Sequence, residues 1–223
     1  MGLDTPKQYM PLAGLPLVIH TLRAFGHMPQ MGHGVIVVSP DDGFMADVIK
    51  RHPQSKFKVF PTGGALRANT VLSGLVALKS LGATGNDWVM VHDAARCLIT
   101  PSLIQQLFDQ CQHDEVGGLL AVPLADTLKS GSDGRVTATV KRSDKWLAQT
   151  PQMFRLDNLF HALTDAVQAV TDESSAIELL GQAPQLVPGA SFNFKVTFPE
   201  DVTLAEAILA ERQTKEFQTH GPH

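Results

Sequence analysis

Cysteine is nearly missing from this chain, which holds Cys97 and Cys111 alone among its 223 residues. Two thiols make neither a disulfide framework nor a paired metal-ligand spacing, which suits a reducing, cytoplasmic setting. No apolar run approaches membrane-spanning length, and no signal peptide precedes the first polar residues. Positive charge is in short supply: 18 Lys and Arg stand against 22 Asp and Glu, a formal charge of -4. That excludes a general nucleic-acid binder, which carries a net basic face, but not an anionic small substrate held by a few local cations. The nine histidines are scattered without a His-x-x-x-His pair, against a zinc site. Walker A, G-x-G-x-x-G and Gly-x-Ser-x-Gly are all absent, so P-loop ATPase, Rossmann dehydrogenase and serine hydrolase lack their motifs.

What is present is an alternation of short apolar runs with helical periodicity. Met1 to Leu12, with Pro6 and Pro11, reads as loop, and Leu15 to Phe25 as a helix with Leu17, Ile19, Leu22 and Phe25 on one face. Gly34 to Ser39 reads as a buried strand, followed by a helix capped by Asp41 or Asp42 and reaching Arg51. Phe57 to Phe60 is a short strand, Pro61-Thr62-Gly63-Gly64 a turn, and Ala68 to Leu81 a helix. A strand at Asp87 to His92, a helix from Ser102 (as cap) to Cys111 and a strand at Gly117 to Val122 follow. This spacing predicts an α/β fold with a doubly wound, mostly parallel sheet.

The rhythm breaks at Pro123. Thr127-Leu128-Lys129, a turn at Gly131 to Gly134 and a return strand at Arg135 to Arg142 form a hairpin whose Val136, Ala138 and Val140 share one face. A lone two-stranded ribbon is marginal in water, so its apolar side should be covered by the same arm of a second subunit, making a homodimer. One domain over 1–223 with an arm at about 124–146 is the resulting organisation. Trp146 to Phe154 reads as a returning strand, with helices at Leu156 to Val170 and, capped by Thr171, at Asp172 to Leu180. Gln185 to Pro188 and Ser191 to Thr197 read as short strands, Pro199 to Arg212 as a closing helix, and Thr214 to His223 as a frayed tail.

Polar function concentrates in four clusters. The strand at Asp87 to His92 breaks abruptly into His92, Asp93 and Arg96, at the carboxyl end of a strand, where open α/β sheets bind ligands. Asp93 serving only as a helix cap is the plain alternative. The others are Pro6-Lys7-Gln8-Tyr9, Gly63-Gly64-Ala65-Leu66-Arg67, where two glycines let backbone approach a ligand, and Asn193-Phe194-Lys195-Val196-Thr197. Singly, Lys7, Arg67 and Lys195 are ordinary surface cations. Together with Arg96 and Arg142, in an otherwise acidic chain, they match the charge that phosphoryl transfer demands.

The chain resembles the 2-C-methyl-D-erythritol 4-phosphate cytidylyltransferase family of the non-mevalonate isoprenoid pathway. The matching pieces are Pro6-Lys7-Gln8-Tyr9, Gly63-Gly64-x-x-Arg67, Val91-His92-Asp93-Ala94-Ala95-Arg96, Asp126-Thr127-Leu128-Lys129, Arg142, Gln149-Thr150-Pro151-Gln152, Thr171-Asp172-Glu173-Ser174-Ser175-Ala176 and Lys195-Val196-Thr197-x-Pro199-Glu200-Asp201. Eight in family order are specific where any one is weak. The resemblance implies a Rossmann-like nucleotidyltransferase fold with an exchanged dimer arm. The reaction it implies joins CTP and methylerythritol phosphate, with magnesium, by in-line attack of the substrate phosphate on the α-phosphorus. Lys7 and Lys195 match catalytic lysines. Gly63, Gly64, Arg67 and Thr70 match the nucleotide-binding part. Asp93, Arg96, Thr150 and Thr171 match positions around the methylerythritol phosphate, with Thr127 and Arg142 reaching in from the partner's arm. Asp93 is the one side chain offered to magnesium, which its triphosphate and water largely hold.

The family pattern opens with a strand and a glycine-rich loop ahead of Pro-Lys-Gln-Tyr. Here Met1-Gly2 stands where that loop should be ending, and the expectation is that the loop precedes the given sequence. Ala65-Leu66 also replaces residues that are often polar or acidic in relatives, and the segment before Thr171 is a little short. Two alternatives stay open at this point: another sugar- or polyol-phosphate nucleotidyltransferase, and a nucleotidyltransferase-fold binding protein without its phosphate loop.

Overall fold

The computed structural model describes residues 5–166 and 170–219. The first residues of the expected N-terminal loop, 167–169 of the helix expected to reach Val170, and the last four of the expected tail lie outside them.

The N-terminal stretch is more ordered than a loop. Lys7–Tyr9 forms a single 3-10 turn, and β1 (Pro11–Leu12) pairs antiparallel with β2 (Leu15–Pro16). Ala13 and Gly14 between them both take positive φ, 47° and 81°, as a two-residue hairpin of the primed type requires. Helix α1 (Leu17–Gly26) follows, then β3 (Gly34–Val37), α2 (Met45–Arg51) and β4 (Phe57–Phe60). Asp42 Oδ1 accepts the N–H groups of Phe44 and Met45, so of the two expected aspartates it is the one that tethers the start of α2. The crossover through α2 returns the chain parallel, with Val35 opposite Lys58.

Helix α3 (Arg67–Ser80), β5 (Trp88–Val91), α4 (Pro101–Cys111), β6 (Gly117–Pro123), β7 (Leu128–Ser132), β8 (Arg135–Val140) and β9 (Trp146–Arg155) come next. The chain closes with α5 (Leu156–Ala166), α6 (Glu173–Leu179), β10 (Gln185–Pro188) and α7 (Pro199–Thr219), the last seven residues longer than expected. Two caps fall elsewhere than predicted. Thr100, not Ser102, accepts the Leu103 N–H, because Pro101 takes the first helical position. Asp172, not Thr171, caps α6, in a reciprocal box with Ser175.

The main sheet has the order β10-β6-β9-β5 and is mixed, correcting the expectation of a mostly parallel one. β9 runs antiparallel to both neighbours because the chain reaches it from β6 through the β7–β8 hairpin, not through a helical crossover. β3 and β4 pair with each other as a separate ribbon. Alternation along β9 sends Met153 to one face, with Leu107, Cys111 and Leu120, and Phe154 to the other, with Leu75, Leu159 and Leu163. The sheet is thus covered by α4 on one side and by α3, α5 and α6 on the other, the layered α/β arrangement expected. The β7–β8 hairpin has its strand residues exposed, Val136 at 66%, except for the half-buried Val140. Among the described residues no helix is long and apolar enough to cross a membrane.

Ser191 to Thr197 is not a strand. Asn193 is wholly buried, its Nδ2 donating to Gln149 Oε1 and to the Thr150 carbonyl, so side-chain anchoring replaces a sheet ladder there.

Candidate active site

Three of the residues singled out by pattern, Lys7, Asp93 and Lys195, meet at the carboxyl ends of β3 and β5. A cleft of about 500 Å³ opens there, lined by Lys7, Ile36, Val38, Asp93, Ala95 and Lys195 among others. Lys7 is brought to it by the 3-10 turn, whose Tyr9 is buried, stacks on Phe44 and donates its hydroxyl to Asp42. Burial pushes the Tyr9 phenol up, and Asp42 adds to the effect, so it stays a proton donor.

Asp93 is the hub. Its Oδ1 accepts from Nε and Nη2 of Arg67 at 3.2 Å each, and its Oδ2 lies 3.0 Å from Lys195 Nζ and 4.0 Å from Arg96 Nε. Burial raises its pKa, but Arg67 and Lys195 outweigh burial and hold the carboxyl below its ordinary value. Arg67, first residue of α3, also donates to both oxygens of Glu173, at 2.5 and 3.0 Å. Four of its five N–H groups are therefore engaged within the protein. Burial opposes its charge, and Glu173 and then Asp93 reverse that and raise its pKa.

Arg96 faces inward. It donates to the carbonyls of Asn193 (2.9 Å) and Ala148 (3.3 Å), tying the segment that carries Lys195 to β9. Burial lowers its pKa, and its buried Nε has no hydrogen-bond partner. Thr150 accepts the Asp93 N–H at 3.0 Å and donates to His92 Nδ1 at 3.0 Å, while His92 Nε2–H donates to the Arg96 carbonyl. With both nitrogens engaged, and with burial pushing its pKa down to about 4, His92 is a structural ring.

Gly63 and Gly64 form the loop ahead of α3. The Gly63 N–H bonds the Val38 carbonyl at 2.8 Å, and Thr70 Oγ1 accepts the Gly64 N–H at 3.1 Å, so Thr70 fastens this loop to the helix. Thr171 is exposed and gives only its backbone N–H, to Ser175. Thr127 and Arg142 lie exposed on the arm, and no hydrogen bond or ion pair among the described residues joins either to the Asp93 cluster.

Glu173 is the residue that sequence reasoning passed over. It is 0% exposed, and a Glu in the first helical turn reads as an ordinary partner of the helix dipole. Gln152 on β9 holds that turn, accepting the Ser174 N–H at 2.7 Å and donating to Asp172 at 2.9 Å. The place of Glu173 in the matching piece Thr171-Asp172-Glu173-Ser174-Ser175-Ala176 was the available signal.

For a metal, the arrangement offers little protein: no three His, Cys, Asp or Glu side chains cluster suitably among the described residues. Both Asp93 oxygens face cations.

Comparison with known proteins gives the same direction. The family model for 2-C-methyl-D-erythritol 4-phosphate cytidylyltransferase matches residues 1–211. A bifunctional enzyme IspD/IspF of Albidiferax ferrireducens is 55% identical over 213 residues, which are 96% of this chain and half of that protein. A 2-C-methyl-D-erythritol 4-phosphate cytidylyltransferase of Nitrosomonas eutropha is 49% identical over 95% of this chain and 92% of its own length. A crystal structure of 4-diphosphocytidyl-2C-methyl-D-erythritol synthase superposes with a TM-score of 0.85 at 40% identity, covering 92% of this chain and 95% of the other. The Francisella tularensis 2-C-methyl-D-erythritol 4-phosphate cytidylyltransferase follows at TM-score 0.79 and 32% identity, covering 92% and 93%.

Proposed function

Because the chain belongs to the 2-C-methyl-D-erythritol 4-phosphate cytidylyltransferase family, we propose that the cleft between Lys7 and Lys195 is where its chemistry takes place. The chain is a cytidylyltransferase of the non-mevalonate isoprenoid pathway, joining CTP to 2-C-methyl-D-erythritol 4-phosphate with release of pyrophosphate. A phosphate oxygen of the acceptor attacks the α-phosphorus in line, and the bond to pyrophosphate breaks. The nucleophile is already an anion, so the site has to gather charge more than move protons. The observation that carries this reading is Lys195 at 3.0 Å from Asp93 on a cleft that Lys7 also lines.

In this reading Lys7 and Lys195 stabilise the crowded α-phosphate. Gly63, Gly64 and Thr70 shape the bed of the cytidine, and Arg67 has one N–H left to offer it. Asp93 faces the methylerythritol, with Thr171 at the margin; Thr150 serves by holding the Asp93 backbone, and Arg96 by holding the backbone on which Lys195 sits. Magnesium would be held mainly by triphosphate oxygens and water, with Asp93 the one protein side chain offered to it, and would supply neutralisation of charge on the leaving group.

The reading treats residues 1–223 as one catalytic unit whose arm, about 124–146, crosses to a second subunit in the reducing cytosol. That placement gives Thr127 and Arg142, both exposed on the arm, a substrate phosphate to reach. The test is pyrophosphate release from CTP with methylerythritol phosphate, run beside ribitol phosphate and with or without a magnesium chelator. Magnesium-dependent turnover with methylerythritol phosphate alone is expected. Turnover confined to another polyol phosphate overturns the acceptor assignment, and full turnover under chelation overturns the metal.

A further inference from the structure

Four groups of alternating charge run from the interior to the cleft: Glu173, Arg67, Asp93 and Lys195. The inner end is closed to water, with Glu173 0% exposed, and the outer end is open, with the Lys195 side chain 42% exposed. Each link is an ion pair: 2.5 and 3.0 Å from Glu173 to Arg67, 3.2 Å from Arg67 to Asp93, and 3.0 Å from Asp93 to Lys195. The planar fork of Arg67 bridges two carboxylates at once, which a lysine's point charge does not reproduce.

We propose that Glu173 is a positioning residue for the cytidylyl transfer: through Arg67 it fixes Asp93, and through Asp93 it aims Lys195 at the α-phosphate. This rests on the activity and the Lys195 role given above and extends them to a residue that touches no substrate. Three features support it. Glu173 is anchored from behind, since Gln152 clamps the first turn of α6 to β9. Its partner Arg67 spends four of its N–H groups on the two carboxylates. A buried carboxylate unpaired with substrate is expensive to keep unless it holds something in place. Without Glu173 the guanidinium is free to rotate off Asp93, and Asp93 loses the donor pair that orients its second oxygen toward Lys195.

The experiment is a double-mutant cycle on the full chain, with Glu173→Gln, Lys195→Ala and the pair. Steady-state kcat is read by pyrophosphate release, and CTP affinity separately by calorimetry. Glu173→Gln keeps volume and removes the charge. It is expected to lower kcat roughly tenfold with CTP affinity changed less than about threefold, and to have no further effect once Lys195 is alanine. Glu173→Asp, which keeps the charge but draws the carboxylate back from the fork, should give a smaller loss with the same coupling. It also stands in if Glu173→Gln does not fold. Additive losses in the Lys195→Ala background, or parallel losses of kcat and CTP affinity, overturn the proposal in favour of a merely structural pair. So does an unchanged kcat in a folded Glu173→Gln. A wild-type chain with no turnover of CTP and methylerythritol phosphate overturns the functional reading itself, a distinct outcome.

Discussion

Lys195 reaches the cleft already paired, its Nζ 3.0 Å from Asp93 Oδ2, while Asp93 gives its other oxygen to Arg67. A cation so held costs little to reorganise when charge develops nearby, and it can exchange its carboxylate partner for a phosphate oxygen as the bond changes hands. Lys195→Ala should therefore lower kcat by about a hundredfold or more and leave CTP affinity within about threefold. Steady-state kinetics beside calorimetric titration decide it. Equal losses in both would place Lys195 in ground-state binding.

Much of this site was legible because cations and glycines at strand ends have few structural reasons to recur in one order. Lys7, Arg67, Asp93 and Lys195 were found that way. What stayed hidden is what depends on long-range pairing. Arg67 and Glu173 are 106 residues apart, and no local pattern distinguishes a buried Glu at a helix start from a solvated one. The alternation of Phe194 with Lys195 imitates a strand, but buried Asn193 and the Arg96 guanidinium hold that segment without a ladder. The apolar run of β9 gives no hint of its direction, which the hairpin before it decides. Likewise Thr100 outcompetes Ser102 as a cap through the proline between them.

Gly63 sits where a side chain has no room: a Cβ there would stand 2.8 Å from the Val38 carbonyl oxygen. Backbone against backbone cannot yield as a flexible side chain does. Gly63→Ala should lower stability by about 1–3 kcal/mol and displace the loop that Thr70 fastens, weakening CTP binding. Urea unfolding and nucleotide titration on the same protein check it. An unaltered CTP affinity would remove this loop from the nucleotide site.

The arm predicts an assembly. Leu128 pairs with Val140 and Ser130 with Ala138, so the apolar side chains of β8 share a face with Leu128. Exposed as they are in one chain, they are suited to burial against a symmetric copy. The protein should sediment as a dimer at micromolar concentration, Val136→Asp should shift it to monomer, and activity should fall with the shift because Thr127 and Arg142 lose their site. A wild-type monomer that turns over at full rate would show that the arm is not exchanged.

His92 predicts how stability responds to acid. Its Nδ1 accepts from Thr150, its Nε2–H goes to the Arg96 carbonyl, and Phe25 packs against the ring at 5.0 Å. Asp93 and Arg96 are the charged groups acting on it, one raising and the other lowering its pKa, and burial dominates both, pushing the ring from 6.5 down to about 4. The unfolded chain takes up the proton near 6.5 and the folded ring refuses it until about 4. In that window the unfolded state therefore holds more protons, and stability falls as pH falls. At about 1.4 kcal/mol per pKa unit, passing from about pH 7.5 to about pH 5 should cost about 2 kcal/mol. His20, also lowered by burial, adds in the same direction. Asp93, held below its ordinary value, weighs in only at lower pH, and Glu173, which burial raises, acts in the opposite sense in any variant that keeps it. The comparison that isolates the ring is urea unfolding of wild type and His92→Gln across this range. The glutamine variant should start less stable and lose about 2 kcal/mol less on acidification, leaving the His20 share. Parallel curves for the two proteins would mean that the ring is charged in the folded state, and the hydrogen-bond directions through Thr150 would then have to be reversed.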